Sequence, residues 1–157
     1  MILFALNLAL ALLWAMAQGT VTLLSITSGF LVGMLVLHLA GPVLGDARYA
    51  VRFLRAIGLI VFFLKELVVS SIRVAIDVLR PRFSMRPAFI KVPLEVRSEI
   101  EITLLANLIS LTPGTLSVDV SDDRTHLFVH AMYGDEPQRV VHDIKHDFER
   151  RIMEVFR

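Results

Sequence analysis

Cysteine is absent from all 157 residues. Disulfides, thiolate nucleophiles and cysteine metal sites are therefore excluded, and redox chemistry gives no clue to compartment. Aromatic-interleaved basic runs are missing, so nucleic acid is not an expected partner. There is no Gly-rich phosphate loop, nucleophile elbow or Cys–His pair, and neither catalysis nor a cofactor is expected. The most informative absence is of charge. The first 45 residues carry no Asp, Glu, Lys or Arg, and the other 112 carry all 31 charges. The front of the chain suits lipid and the back suits water.

What is present follows that division. Charge begins at Asp46, and Arg48, Arg52 and Arg55 follow at once. Residues 46–80 hold six Lys/Arg against three acids, whereas residues 81–157 hold ten against twelve. The positive excess thus adjoins the apolar part. A membrane span needs about 20 apolar residues, so residues 1–45 have room for two. The run breaks at Gln18-Gly19-Thr20. Helices are expected over Ile2–Ala17 and Val21–Leu39, the second ended by Gly41-Pro42. Together they form an antiparallel transmembrane hairpin with Trp14 near the headgroups. Ala15-Met16-Ala17 has the form of a cleavage site, but no positive n-region precedes it and a second apolar segment follows, so the segment is expected to remain. Ser25, Gly29 and Gly33 recur every four residues, a spacing that lets helices approach closely in lipid. His38 lies near the end of the second helix and is expected to reach the headgroups.

Residues Arg52–Arg80 place Arg52, Arg55, Glu66, Ser70, Arg73, Asp77 and Arg80 in one stripe about 80° wide at a helical turn of about 100° per residue. Leu59 and Phe62 interrupt the stripe, and Lys65 sits on its shoulder. The remaining faces are apolar, as in a long amphipathic helix. Basic flanks on both sides (Arg48, Arg52 and Arg55 before; Arg80, Arg82, Arg86 and Lys91 after) favour a helix lying along the inner surface. A third span whose stripe of Lys65, Glu66, Arg73 and Asp77 faces a partner or an ion path is the alternative.

After Pro81, Pro87 and Pro93 the periodicity changes. Ala88–Val92 reads as a strand continuing through Val96. Ser98 and Glu101 form a capping box that opens a helix over Glu99–Ile109. Thr112-Pro113-Gly114-Thr115 has the form of a type II turn, with Gly where φ > 0 is required. Leu116–Val120 and His126–His130 alternate as two paired strands, with His126 and His130 on the exposed face. Arg139–Phe156 is an amphipathic helix that buries Val140, Val141, Ile144, Phe148, Ile152 and Val155. His142 and His146 have the i,i+4 spacing of zinc ligands, but no third ligand is evident and no metal is expected. The expected class is a membrane α-helical hairpin (1–45), a long amphipathic helix (46–80) and a small α+β domain of βαββα order (81–157) on the cytoplasmic side.

The stretch Leu104-Leu105-Ala106-Asn107-Leu108-Ile109-Ser110-Leu111-Thr112-Pro113-Gly114-Thr115-Leu116-Ser117-Val118-Asp119, with Leu127-Phe128-Val129-His130 beyond it, resembles the E subunit of the multisubunit Mrp-type cation/proton antiporters. The resemblance implies a multi-pass protein of the bacterial inner membrane, whose partners are lipid and the other subunits of a complex exchanging sodium for protons. It also implies an accessory part, with the ion path in large subunits that resemble those of respiratory complex I. Two other functions fit the residues: a self-standing membrane-anchored binding module, and a homo-oligomeric transporter. The absence of acids from the first 45 residues weighs against the last.

Overall fold

Small side chains at every fourth position set the packing of the two N-terminal helices. In the computed structural model, α1 (Ile2–Ala17) buries Asn7, Ala11 and Ala15. α2 (Leu23–Leu44) buries Ser25, Gly29, Gly33, Leu37 and Gly41. Residues four apart share a helix face, so each set forms one seam. Gly29 lies against Ala11 and Trp14, and Gly33 lies against Asn7 and Leu10; the helices therefore run antiparallel. The structure describes residues 2–44, 48–80 and 85–157. Asp46, at the charge boundary, and Pro81 and Arg82, after the third segment, lie outside the described residues.

Among the described helices, α2 alone is long and apolar enough to cross a membrane. α1 has 16 residues, about 24 Å of rise against a hydrocarbon core of about 30 Å. The limits of α2 differ from expectation at both ends. It starts at Leu23 because Thr22 caps it: the Ser25 amide donates to Thr22 Oγ1 at 3.1 Å and the Thr22 amide donates to Ser25 Oγ at 2.9 Å. It also continues through Gly41-Pro42 to Leu44. Proline loses its own N–H bond and crowds the carbonyl four residues back, yet Pro42, two residues from the end of α2, does not stop the helix.

α3 (Tyr49–Leu79) is a single 31-residue helix. The chain divides into two compact units, Met1–Leu54 and Arg55–Arg157. In the first, Asn7 Nδ2 donates to the Tyr49 hydroxyl at 2.9 Å, and the Phe30 ring contacts Phe4 and Phe53.

The second unit contains a three-stranded antiparallel sheet of β1 (Ala88–Pro93), β2 (Thr115–Val120) and β3 (His126–Ala131) in the order β1-β3-β2. Alternation directs Ile90, Val92, Leu127, Val129 and Ala131 inward. There they meet Ile102, Leu105 and Ile109 of α4 (Glu99–Leu111) and Ile144, Phe148 and Ile152 of the C-terminal helices. The opposite sheet face carries the stacked rings of Phe89 and Phe128, 5.9 Å apart, with half-buried His126 and His130. Helices on one sheet face and βαββα order agree with the expected α+β domain.

Two elements depart from the simple pattern. Alternate burial continues to Leu94 and Val96, but the ladder ends at Pro93. The expected single helix from Arg139 is α5 (Pro137–Asp143), a π-helical turn (Ile144–Glu149) and α6 (Arg150–Phe156). Its inner side buries Ile144, Phe148 and Ile152 and half-buries Val140, Val141 and Val155, together with Glu149, which is 1% exposed. One carboxylate explains both departures. Glu149 Oε1 accepts from the amides of Glu95 and Val96 at 2.5 and 3.0 Å, and Oε2 accepts from Lys145 Nζ at 3.3 Å. The wider π turn brings this side chain inward, and the amides it captures are lost to a strand.

Candidate functional site

The polar stripe of α3 and the turn after α4 form opposite sides of one cleft. Ser70 and Asp77 are buried, Glu66 is half-buried, and Arg73 and Lys65 are exposed. Ser70 Oγ turns back to the Glu66 carbonyl at 2.6 Å, the local bond a hydroxyl makes within a helix. Asp77 is 4% exposed. It accepts from the Tyr133 hydroxyl at 2.5 Å and from Arg80 Nη1 at 3.4 Å. The Arg73 guanidinium lies 5.9 Å from the Tyr133 ring centroid, within cation–π range. Burial, and then the hydrogen bond and charge of Asp77, push the Tyr133 hydroxyl above its ordinary pKa of 10.0.

Across the cleft, Thr112-Pro113-Gly114-Thr115 closes α4 as a cap. A helix leaves its last carbonyls unpaired. Here Thr112 Oγ1 donates to the Leu108 carbonyl at 2.8 Å, and Thr115 Oγ1 donates to the Ile109 carbonyl at 2.7 Å. The Thr115 amide donates to the Thr112 carbonyl at 3.2 Å, closing a four-residue turn around Gly114 at φ +97°. Glycine reaches that φ without strain, and it also leaves room for Tyr133, whose ring would lie 3.3 Å from a Cβ at this position. The Gly114 carbonyl accepts from the Met132 amide at 2.8 Å, fixing the start of β2 beside the end of β3.

The cleft has a volume of about 480 Å³. Glu66, Ser70, Arg73, Tyr133, Arg139 and Asp143 supply most of its polar groups, and residues 112–115 form one end. The structure therefore brings Glu66 and Arg73 together with the turn, and joins Asp77 to them through Tyr133. Lys65 is not part of the cleft. Ser25, Gly29 and Gly33 belong to the other compact unit, on the α1–α2 seam. Ser25 has a second role there, since its hydroxyl donates to the Thr20 and Thr22 carbonyls. Among the described residues, no group of three or more His, Asp and Glu is placed to hold a metal. His142 and His146 are exposed, with ring centroids 4.2 Å apart.

Sequence reasoning missed Asn7, Tyr49, Tyr133 and Glu149. The last had a usable signal: a lone acid beside Phe148 on an apolar helix face. The charges around it are mutually stabilising. Burial opposes the charge on Lys145, but Glu95 and Glu149 overcome it and raise the ammonium pKa. The Lys145 hydrogen bond, 2.7 Å from Glu95, lowers the Glu95 pKa. In the capping box burial opposes the charge on Glu101, yet hydrogen bonds from Ser98 and Arg97 lower its pKa. In the β2–β3 turn, hydrogen bonds from Ser121 and Thr125 hold Asp123 down at about 2.

Comparison with known proteins gives the same answer for sequence and for fold. Residues 7–155 match the family model MNHE, described as a Na+/H+ ion antiporter subunit. The chain is similar to the Na(+)/H(+) antiporter E subunit of Alkalihalophilus pseudofirmus, at 38% identity over 150 residues covering 96% of this chain and 95% of the relative. It is also similar to the E subunit of the Bacillus subtilis antiporter, at 36% identity over 152 residues covering 97% and 96%. A chain in the structure of the Mrp complex from a Dietzia species aligns with TM-score 0.51 and 31% identity, over 66% of this chain and 97% of that one. A chain of an archaeal membrane-bound sulfane sulfur reductase aligns with TM-score 0.50 at 23% identity, over 82% and 81%, and shares the fold. Matched nearly from end to end, this chain belongs to the Na+/H+ ion antiporter subunit family, a family of transporter components rather than enzymes.

Proposed function

We propose that the chain is an accessory, non-catalytic subunit of a monovalent cation/proton antiporter complex, and that it supports assembly of the other subunits. Its α1–α2 pair acts as a two-helix transmembrane hairpin in a bacterial inner membrane, with α1 fitting by local thinning of the bilayer. Arg48, Arg52 and Arg55 hold the exit of α2 on the cytoplasmic side, so residues 81–157 are cytoplasmic and the tip at Gln18–Thr20 is outside. The observation that carries the reading is how the buried acid of α3 is used. A proton carrier in an ion path must exchange its proton with a pathway, whereas Asp77 is buried against Tyr133 and Arg80, and α1 and α2 contain no acid. The α3 stripe and the Thr112–Thr115 turn act as scaffold, and Ser25, Gly29 and Gly33 as a helix-packing seam. Cation-driven proton movement in vesicles tests this with Glu66→Gln in the assembled complex. Antiport is expected to persist, at most reduced. Its abolition with full complex yield would move Glu66 onto the ion path.

A further inference from the structure

We propose that α3 lies along the membrane surface with its apolar side in the acyl-chain layer and its polar stripe turned away from lipid onto the α+β domain. The inference rests on the membrane anchoring of α2 and not on the antiporter reading. Three observations carry it.

The α+β domain engages the stripe along its length. Arg55 Nη1 donates to the Glu154 carbonyl at 2.9 Å. Leu59 joins the domain core. The Phe62 ring meets Phe148 edge-on at 5.3 Å and lies 4.3 Å from the Arg151 guanidinium. Glu66 and Ser70 line the cleft, and Asp77 binds Tyr133. From Arg55 to Asp77 the helix rises about 33 Å, as much as the full hydrocarbon thickness of about 30 Å. A helix sheathed over that length could cross only by taking Arg139, Asp143 and Arg151 into the bilayer with it. Charges there are strongly disfavoured.

The far side of α3 is the reverse. Ile57, Ile60, Val61, Leu64, Val68 and Ile72 are all exposed. Ser71 is the one polar residue on that arc. Lys65 stands at its edge, where a long stem lets the ammonium reach water. A broad apolar strip opposite a polar stripe is the pattern of a helix lying in the interface.

The chain path selects lipid as the occupant. Four residues separate Leu44 of α2 from Tyr49 of α3, a reach of at most about 18 Å. A membrane-anchored α2 therefore delivers the start of α3 to the surface from which it emerges.

The absence of native cysteine makes the test clean. In the full chain, Ile60→Cys, Leu64→Cys, Val68→Cys and Ile72→Cys each replace an exposed side chain and carry one fluorophore in phospholipid vesicles. Quenching is compared between lipids with a nitroxide high on the acyl chain and lipids with one near its end. Leu35→Cys on α2 is the anchor control. The expected result is shallow quenching at least two-fold stronger than deep at all four α3 positions, with deep quenching dominant at Leu35→Cys. Deep quenching that peaks at Leu64→Cys and Val68→Cys would overturn the proposal in favour of a span. Quenching by neither lipid, with the control quenched, would overturn it in favour of a protein partner or water. An unquenched control would refute the anchoring itself, and the proposal with it.

Discussion

A methyl group on Gly33 would fall where the Asn7 amide oxygen now sits, whereas one on Gly29 would meet backbone; the two glycines should therefore respond differently to the same change. At Gly29 the added Cβ lies 2.9 Å from the Ala11 carbonyl oxygen and from Trp14 Cβ. Optimal heavy-atom contacts lie near 3.5–4.0 Å, so α1 and α2 must separate by about 0.5–1 Å, a gap that forfeits a quarter to a half of each contact along the seam. Overpacking of this kind costs about 1–3 kcal/mol. At Gly33 the obstacle is the tip of a side chain. The Asn7 amide can swing aside, and the loss is its bond to Tyr49, about 0.6 kcal/mol on average and up to about 1.7 for such bonds in membrane helices. Gly33→Ala should thus cost less than Gly29→Ala. Asn7→Ala should absorb most of the Gly33→Ala cost and none of the Gly29→Ala cost. Denaturant titration of the full chain in micelles gives the four free energies of each double-mutant cycle. Strict additivity of Asn7→Ala with Gly33→Ala, or equal cost at the two glycines, would refute the reasoning.

Glu149→Ala removes the acceptor of two backbone amides and of Lys145, and should destabilise the chain by about 3–5 kcal/mol; Glu149→Gln, which keeps one acceptor oxygen, should cost less in the same titration. Gly114→Val combines a β-branched residue at φ +97° with a contact on Tyr133. A loss of at least about 1–3 kcal/mol is expected, with less complex recovered in pull-down, and Gly114→Ala should fall between it and the native chain. Tyr133 has a folded pKa above its ordinary 10.0, so its contribution to stability is complete below pH 10 and is lost as pH rises through the folded value. Asp77→Asn in a Tyr49→Phe background should move the tyrosinate absorbance transition down toward 10, and no movement would remove Asp77 as a cause. An Arg157→Cys chain in intact cells should resist a membrane-impermeant thiol reagent added outside.

What could be read from sequence was what depends on neighbours in sequence. The bounds of α1, the Ser98–Glu101 box and the alternation of β3 need only a few adjacent residues, and all are found as expected; the alternation of β2 is not, because its register shifts between Ser117 and Asp119 and leaves Leu116 and Val118 exposed. The limits of α2 failed because an apolar Val21 concealed a Thr22 cap, and because Pro42 ends a helix less strictly near its terminus than within it. The end of β1 and the π turn could not be read, since both depend on Glu149, more than 50 residues from the amides it serves. The cleft was half visible: its stripe and its turn stood out separately. Tyr133, which links them through Asp77 and Gly114, lies just past the end of β3, where no periodicity marks it.

The chain past Pro93 is also a place where another polypeptide could add a strand, because extended backbone with free amides and carbonyls templates pairing. The donors of this stretch are already engaged: the Leu94 amide donates to the Thr125 carbonyl and Glu149 holds the next two amides, while Lys145 holds the Pro93 carbonyl. One turn of helix thus acts as a stopper on this stretch. With those amides taken, the stretch offers no N–H donor there to the strand edge of a second copy.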